Sequence, residues 1–136
     1  MVQQVAFDTC TAINVFTRNG YAQNLRKKLR GKSLRIILCD MVIRELQKKK
    51  YDANQVISKI QNKLGRSVHV GRMEKRHMIA GEQISTRFHT CHHGDNYIFA
   101  YCMTESIPLI TDDRNFHRAC NCLGVTAFFA SEAGNL

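Results

Sequence analysis

Short apolar runs alternate with helix-length stretches along this whole sequence, and that alternation leaves few folds open. VAF (5–7), LRIILC (34–39), PLIT (108–111) and VTAFFA (125–130) are each too short for a helix and rich in branched or aromatic residues, the signature of buried strands. Between them, TAINVF and YAQNLRKKL put Ile13, Phe16, Leu25 and Leu29 at helical spacing. MVIRELQKKK is expected to continue into ANQVISKIQNKL, where Val56, Ile57, Ile60 and Leu64 share one face. DNYIFAYCMTE repeats the helical pattern, and NFHRACNCLG ends in a glycine suited to a helix C-terminus. SVHV (67–70) reads either as a further strand or as a connection, and Gly65 to Gly94 carries no clear period. The pattern predicts a three-layer α/β/α fold with a central, mainly parallel sheet of four to five strands covered on both faces. With 136 residues, 44% of them hydrophobic, the expectation is a single domain, 1–136.

The eleven acids follow the strands. VAF ends at Asp8, IILC at Asp40, and LIT at the adjacent pair Asp112 and Asp113. In a parallel sheet the carboxyl ends of the strands share one edge, where ligands bind, so Asp8 and the 112–113 pair should converge. Helices that follow strands start at that same edge. Glu45, inside MVIRELQ, and Asp95, opening DNYIFAYCM after Gly94, can therefore face the same cleft. Taken singly, Asp8 and Asp113 suit turns, and Asp40 and Asp95 suit helix caps; for Asp40 the cap is preferred. A Glu in mid-helix caps nothing.

Carboxylates packed this closely raise one another's pKa and need positive charge among them. All-oxygen ligation selects Mg²⁺ or Mn²⁺, and two such ions roughly 3.5–4 Å apart can clamp a scissile phosphate and activate water. The rest of the chain is strongly basic. Twenty Lys and Arg against eleven Asp and Glu give a net charge of +9, which attracts polyanions such as nucleic acid. An acidic centre inside a basic protein suits a nuclease: basic residues hold the strand that the centre cuts. LRKKLRGK (25–32) and ELQKKK (45–50) are basic helix faces, and Lys27, Lys28, Lys48 and Lys49 are the expected phosphate contacts.

The ordered set FDTCTAINVF, MVIRELQKK, GDNYIFAYC and LITDDRNF resembles the PIN domain, a nuclease family, over essentially the whole chain from Val2 to about Ala130. The resemblance implies Mg²⁺- or Mn²⁺-dependent cleavage of RNA, with Asp8, Glu45, Asp95 and Asp113 as the acidic tetrad. It implies that Thr9 and Thr111 position ligands or substrate. Asp112 fills the variable middle place of Thr-x-Asp and is a second-tier metal candidate, expected to point away toward solvent or Arg114. The family contains toxins of toxin–antitoxin pairs, ribosomal-RNA processing nucleases and RNA-decay enzymes. The implied partners are accordingly RNA, an antitoxin or processing-complex protein, and a second copy in a homodimer. Asn96 stands after Asp95 where many processing relatives carry another acid, a departure that bears on a second metal. The alternative from another class is a catalytically inactive PIN-fold module for RNA binding or complex assembly.

Other readings are weaker. HTCHH (89–93) with Cys102 and CNC (120–122) invites zinc, but the spacing matches no standard ligand pair, and Cys102 and Cys120 occupy apolar helical positions. The six cysteines are expected to be reduced. His92 and His93 either approach a substrate phosphate or belong to a solvated loop, and the loop is preferred. Tyr97 and Phe99 are expected in the core. No glycine-rich phosphate loop supports a nucleotide-binding protein. There is no apolar run of membrane-spanning length, and MVQQVAF lacks the character of a signal peptide, so the expectation is a cytoplasmic protein with no membrane partner.

Overall fold

The computed structural model describes residues 2–136; Met1, the first residue of the expected domain, lies outside them. The elements run β1 (Gln3–Phe7), α1 (Thr9–Thr17), α2 (Asn19–Lys28), β2 (Leu34–Cys39), α3 (Asp40–Lys48), α4 (Ala53–Leu64), β3 (Val68–Gly71) and α5 (Lys75–Gln83). A 3-10 turn (Ser85–Phe88) leads to α6 (Asp95–Glu105), β4 (Leu109–Ile110), α7 (Arg114–Leu123), β5 (Ala127–Phe128) and a closing 3-10 segment (Ala130–Asn135).

All strand pairings are parallel, in the order β3-β2-β1-β4-β5. The predicted α/β/α architecture is what the chain forms, and SVHV supplies the fifth strand. The order has one decisive consequence. The chain winds outward from β1 through β2 to β3, then crosses back to lay β4 on the other side of β1. Strand order reverses between β1 and β4, and at such a switch point the loops at the carboxyl edge diverge and leave a crevice. Phe7 pairs with Ile110, so the residues leaving β1 and β4 emerge side by side.

The strands form the centre of the core. Val5, Phe7, Ile36, Leu38, Leu109 and Ile110 are fully buried, between Val15, Val56 and Ile60 from α1 and α4 and Ile98 and Phe116 from α6 and α7. Helix α6 buries Ile98 through Cys102 consecutively, since α5 covers the side that the sheet does not. Phe99, Cys102 and Cys120 are core residues, as expected. The six cysteines are free thiols. Among the described residues no helix is long and apolar enough to cross a membrane.

Two expectations about helices need correction. The stretch 41–64 is not continuous: it breaks after Lys48, Lys50 takes a left-handed conformation (φ 72°), and Asp52 restarts the chain as N-cap by accepting from Gln55 N at 3.2 Å. Asp40 is not an N-cap either. Cys39 holds that place, and the Asp40 carboxylate accepts the Met73 N–H at 2.7 Å, which ties α3 to the loop after β3. In the segment without a clear period, α5 carries an interior glycine because Tyr97 lies against it. A Cβ at Gly81 would sit 2.4 Å from the Tyr97 ring.

Candidate metal centre

Asp8 leaves β1 and caps α1. Its Oδ1 accepts the Thr11 N–H at 2.8 Å, while Oδ2 accepts the Thr111 hydroxyl at 2.5 Å from the neighbouring strand β4. Asp113 leaves β4 and caps α7, accepting the Phe116 N–H at 3.0 Å; its own N–H donates to Thr111 Oγ1 at 3.2 Å. One threonine hydroxyl therefore joins both aspartates across the switch point. Thr9 does the equivalent for α3, its hydroxyl donating to Glu45 Oε1. Asp95 opens α6, with its Oδ2 accepting the His92 N–H at 3.0 Å.

These acids line or adjoin one cleft of about 670 Å³, walled by Asp8, Thr9, Glu45, Asp95, His92 and His93 together with Met41, Met78 and Tyr97. Asp113 is not in that wall and joins it through His92, whose Nδ1 lies 2.8 Å from Asp113 Oδ2. The electrostatics record the crowding. Asp95, 6% exposed, is pushed up to about 8, first by burial and then by the charges of Asp8 and Glu45. Burial also raises Asp8, 3% exposed, against the hydrogen bonds of Thr11 and Thr111. Glu45 is raised by burial too, with Thr9 and Lys49 pulling the other way.

Among the described residues, no lysine or arginine is ion-paired with any of the four acids. Two buried carboxyls (Asp8, Asp95) and two half-buried ones (Glu45, Asp113) with no such ion pair, held by hydroxyls and amides that leave further lone pairs free, fit a hard divalent ion. Donor atoms of His92, Asp95 and Asp113 all lie within 4.8 Å of one another, close enough to share one ion.

The remaining candidates divide by location. Lys48 and Lys49 reach the cleft, joined by Arg44 from the same helix. Arg44 is not among the expected phosphate contacts, although its i, i+4 spacing to Lys48 is a signal the sequence carries. Lys27 and Lys28 are elsewhere, in a groove formed with Tyr21 and Asp112. Asp112 lies outside the cleft in an exposed position, as expected, though not against Arg114. It is clasped by the Tyr21 hydroxyl at 2.6 Å and the Ala130 N–H at 2.9 Å. Asn96 turns away from the acids and donates to Gly81 O at 2.8 Å. Tyr97 packs half-buried against the core, as expected, and also walls the cleft. His89, Cys102, Cys120 and Cys122 are outside the His92–Asp95–Asp113 group, so the zinc reading finds no convergent ligands among the described residues. His92 lies in an exposed loop, as expected, and its ring nitrogen comes close to Asp113.

The protein has a PIN-like fold. Three solved structures illustrate the likeness: VapBC2 from Rickettsia felis bound to a DNA fragment from their promoter, VapBC-1 from nontypeable Haemophilus influenzae, and a PilT N-terminus domain protein from Sulfolobus solfataricus P2. Their identities to this chain are 18%, 14% and 12%, with TM-scores of 0.65, 0.67 and 0.61. The alignments cover 93%, 95% and 98% of this chain, and 98%, 99% and 92% of the matched chains. No family model matches the sequence, and no curated protein matches it significantly.

Proposed function

We propose that this protein is a metal-dependent endoribonuclease that hydrolyses RNA phosphodiester bonds at the Asp8–Glu45–Asp95–Asp113 centre. The observation that carries the reading is that Asp8, Glu45 and Asp95, far apart in sequence, line one cleft at the switch point, with Asp113 beside them through His92 and no lysine or arginine ion-paired to any of the four among the described residues. These residues would hold Mg²⁺ or Mn²⁺, which when bound supplies Lewis-acid charge to phosphate oxygens and a more acidic water. The chain's own groups do the positioning. Thr111 fixes Asp8 and the start of the Asp113 turn, and Thr9 fixes Glu45, so the carboxylates are preorganised before any ligand arrives. Arg44, Lys48 and Lys49 draw the phosphate backbone toward the cleft mouth. The VapBC neighbours are toxin–antitoxin assemblies, which supports a small antitoxin protein as partner and a toxin role, with RNA processing as the other branch of the same activity. A homodimer belongs to the same reading.

Incubating fluorescent single-stranded RNA with the protein and Mn²⁺ should yield endonucleolytic fragments on a denaturing gel, and EDTA should suppress them. Asp8→Asn and Asp113→Asn should each lower the rate on the order of 10³-fold or more, because an amide removes charge from the centre. Asn caps helices as well as Asp does, so α1 and α7 should survive and circular dichroism should not change. Asp112→Asn should cost far less, since it loosens only the Tyr21–Ala130 clasp. RNA binding without cleavage under every metal would replace this reading with the non-catalytic RNA-binding or assembly module.

Salt provides a separate check on Lys48 and Lys49. In the silent Asp8→Asn background, RNA affinity measured by fluorescence anisotropy should fall linearly on a log–log salt plot. Lys48→Gln with Lys49→Gln should reduce that slope by about 1.4, roughly 0.7 for each single-strand phosphate no longer neutralised. The same exchange at Lys27 and Lys28 tests whether RNA also occupies the Tyr21–Asp112 groove. An unchanged slope there would confine the track to α3.

A further inference from the structure

We propose that His92 is a nitrogen ligand of the metal centre and that it makes the centre prefer Mn²⁺ over Mg²⁺. This inference rests on the metal-centre reading above and goes beyond it, since that reading requires oxygen ligands alone.

The loop before α6 is built to hold this imidazole in place. The His92 N–H donates to Asp95 Oδ2 at 3.0 Å, and the Asp95 N–H donates back to His92 O at 3.1 Å. This reciprocal pair fixes the His92 backbone against one acid of the tetrad. Gly94 closes the turn in a left-handed conformation, φ 97°. The ring then extends to a second acid, with Nδ1 2.8 Å from Asp113 Oδ2. One residue thus contacts two candidate ligands through two different groups, although its side chain is 74% exposed. A solvated loop histidine has no need of either contact.

Nδ1 is the ring nitrogen that faces the Asp113 carboxylate. A neutral imidazole would offer its Nδ1 lone pair to an ion shared with Asp95 and Asp113, whose donor atoms lie within 4.8 Å of that of His92. His93 is placed differently: it lines the cleft and its charge acts on Glu45. An all-carboxylate pocket suits Mg²⁺ and Mn²⁺ alike, whereas imidazole nitrogen favours the transition metal.

The test uses full-length protein stripped with EDTA and reloaded with Mn²⁺ alone or Mg²⁺ alone. Pulsed electron paramagnetic resonance of the Mn²⁺ form should show nitrogen modulation from a directly bound imidazole. His92→Gln should lose that modulation, and His93→Gln should keep it. By titration calorimetry, His92→Gln should weaken Mn²⁺ binding by about tenfold or more and change Mg²⁺ binding by less than about threefold. Mn²⁺ binding with no nitrogen modulation in the wild type would overturn the assignment to His92 and leave the carboxylate centre standing. Modulation that survives in His92→Gln would overturn it equally. Failure of either ion to bind the wild type would overturn both the inference and the reading beneath it.

Discussion

Asp95→Asn is expected to abolish metal-dependent RNA cleavage and, in the same protein, to raise the thermal stability of the metal-free form. The two effects have one origin. Asp95 is buried beside Asp8 and Glu45, and its carboxyl is pushed from the ordinary 3.8 up to about 8. Between those values the unfolded chain has released a proton that the folded chain keeps. Stability from this group is therefore greatest at low pH and falls as pH rises through that window. Above about pH 8 the folded protein carries the full penalty of a buried, crowded charge, on the order of 3–5 kcal/mol. An amide of the same shape carries none of it and can still accept the His92 N–H. The melting temperature of Asp95→Asn should accordingly exceed that of the wild type by on the order of 10–15 °C at pH 9, and the gap should narrow toward pH 5. Mn²⁺ should raise the melting temperature of the wild type but not of the variant. A variant that melts lower at every pH, with Mn²⁺ stabilising both proteins equally, would separate Asp95 from the centre.

Some of the candidate site could be read from the sequence and some could not. Asp8 and Asp113 were legible because each ends an apolar run, and parallel topology sends strand ends to one edge. Glu45 was legible because a charged residue in mid-helix has no local structural duty. What a single sequence cannot reveal is strand order. Nothing in VAF or PLIT says that β1 and β4 are neighbours, and the Thr111–Asp8 bond depends entirely on that pairing. His92 was hidden for a related reason. Its place is fixed by a turn around Gly94 and by reciprocal hydrogen bonds to Asp95, neither of which has a period.

The misread stretches have equally local causes. Lys50 adopts a conformation usual for glycine, so the break between α3 and α4 left only Asp52 as a sign. Strand β3 lies at the sheet edge with Val68 and Gly71 buried and His69 and Val70 exposed, so it does not alternate as a half-buried strand should. Helix α5 keeps Gly81 for the Tyr97 ring and His77 for its own cap, at the expense of a regular apolar stripe. The doubled aspartate after β4 divides into two roles. Asp113 faces His92 and the centre, and Asp112 anchors Tyr21 and Ala130.

Gly94→Ala should damage both fold and centre, and a double-mutant cycle can assign the damage to its cause. At φ 97° an alanine incurs the left-handed penalty, about 1–2 kcal/mol, wherever it points. Here it points at Glu45. A Cβ on residue 94 would lie 2.7 Å from Glu45 Oε2 and 3.2 Å from its Cδ, with Met41 Sδ at 3.4 Å behind. Glu45 cannot retreat freely, because its other oxygen accepts the Thr9 hydroxyl. The added methyl must break that bond or lift the His92–Asp95 turn, and either movement misplaces a proposed ligand. The expected result is a loss of about 2–4 kcal/mol in denaturant unfolding, together with Mn²⁺ affinity reduced by at least about tenfold. In a Glu45→Ala background the steric part should vanish and only the backbone penalty should remain, a coupling of about 1 kcal/mol or more. Additive losses would mean that the glycine serves the turn alone. A strong coupling would mean that the turn and the carboxylate on α3 were fitted to each other.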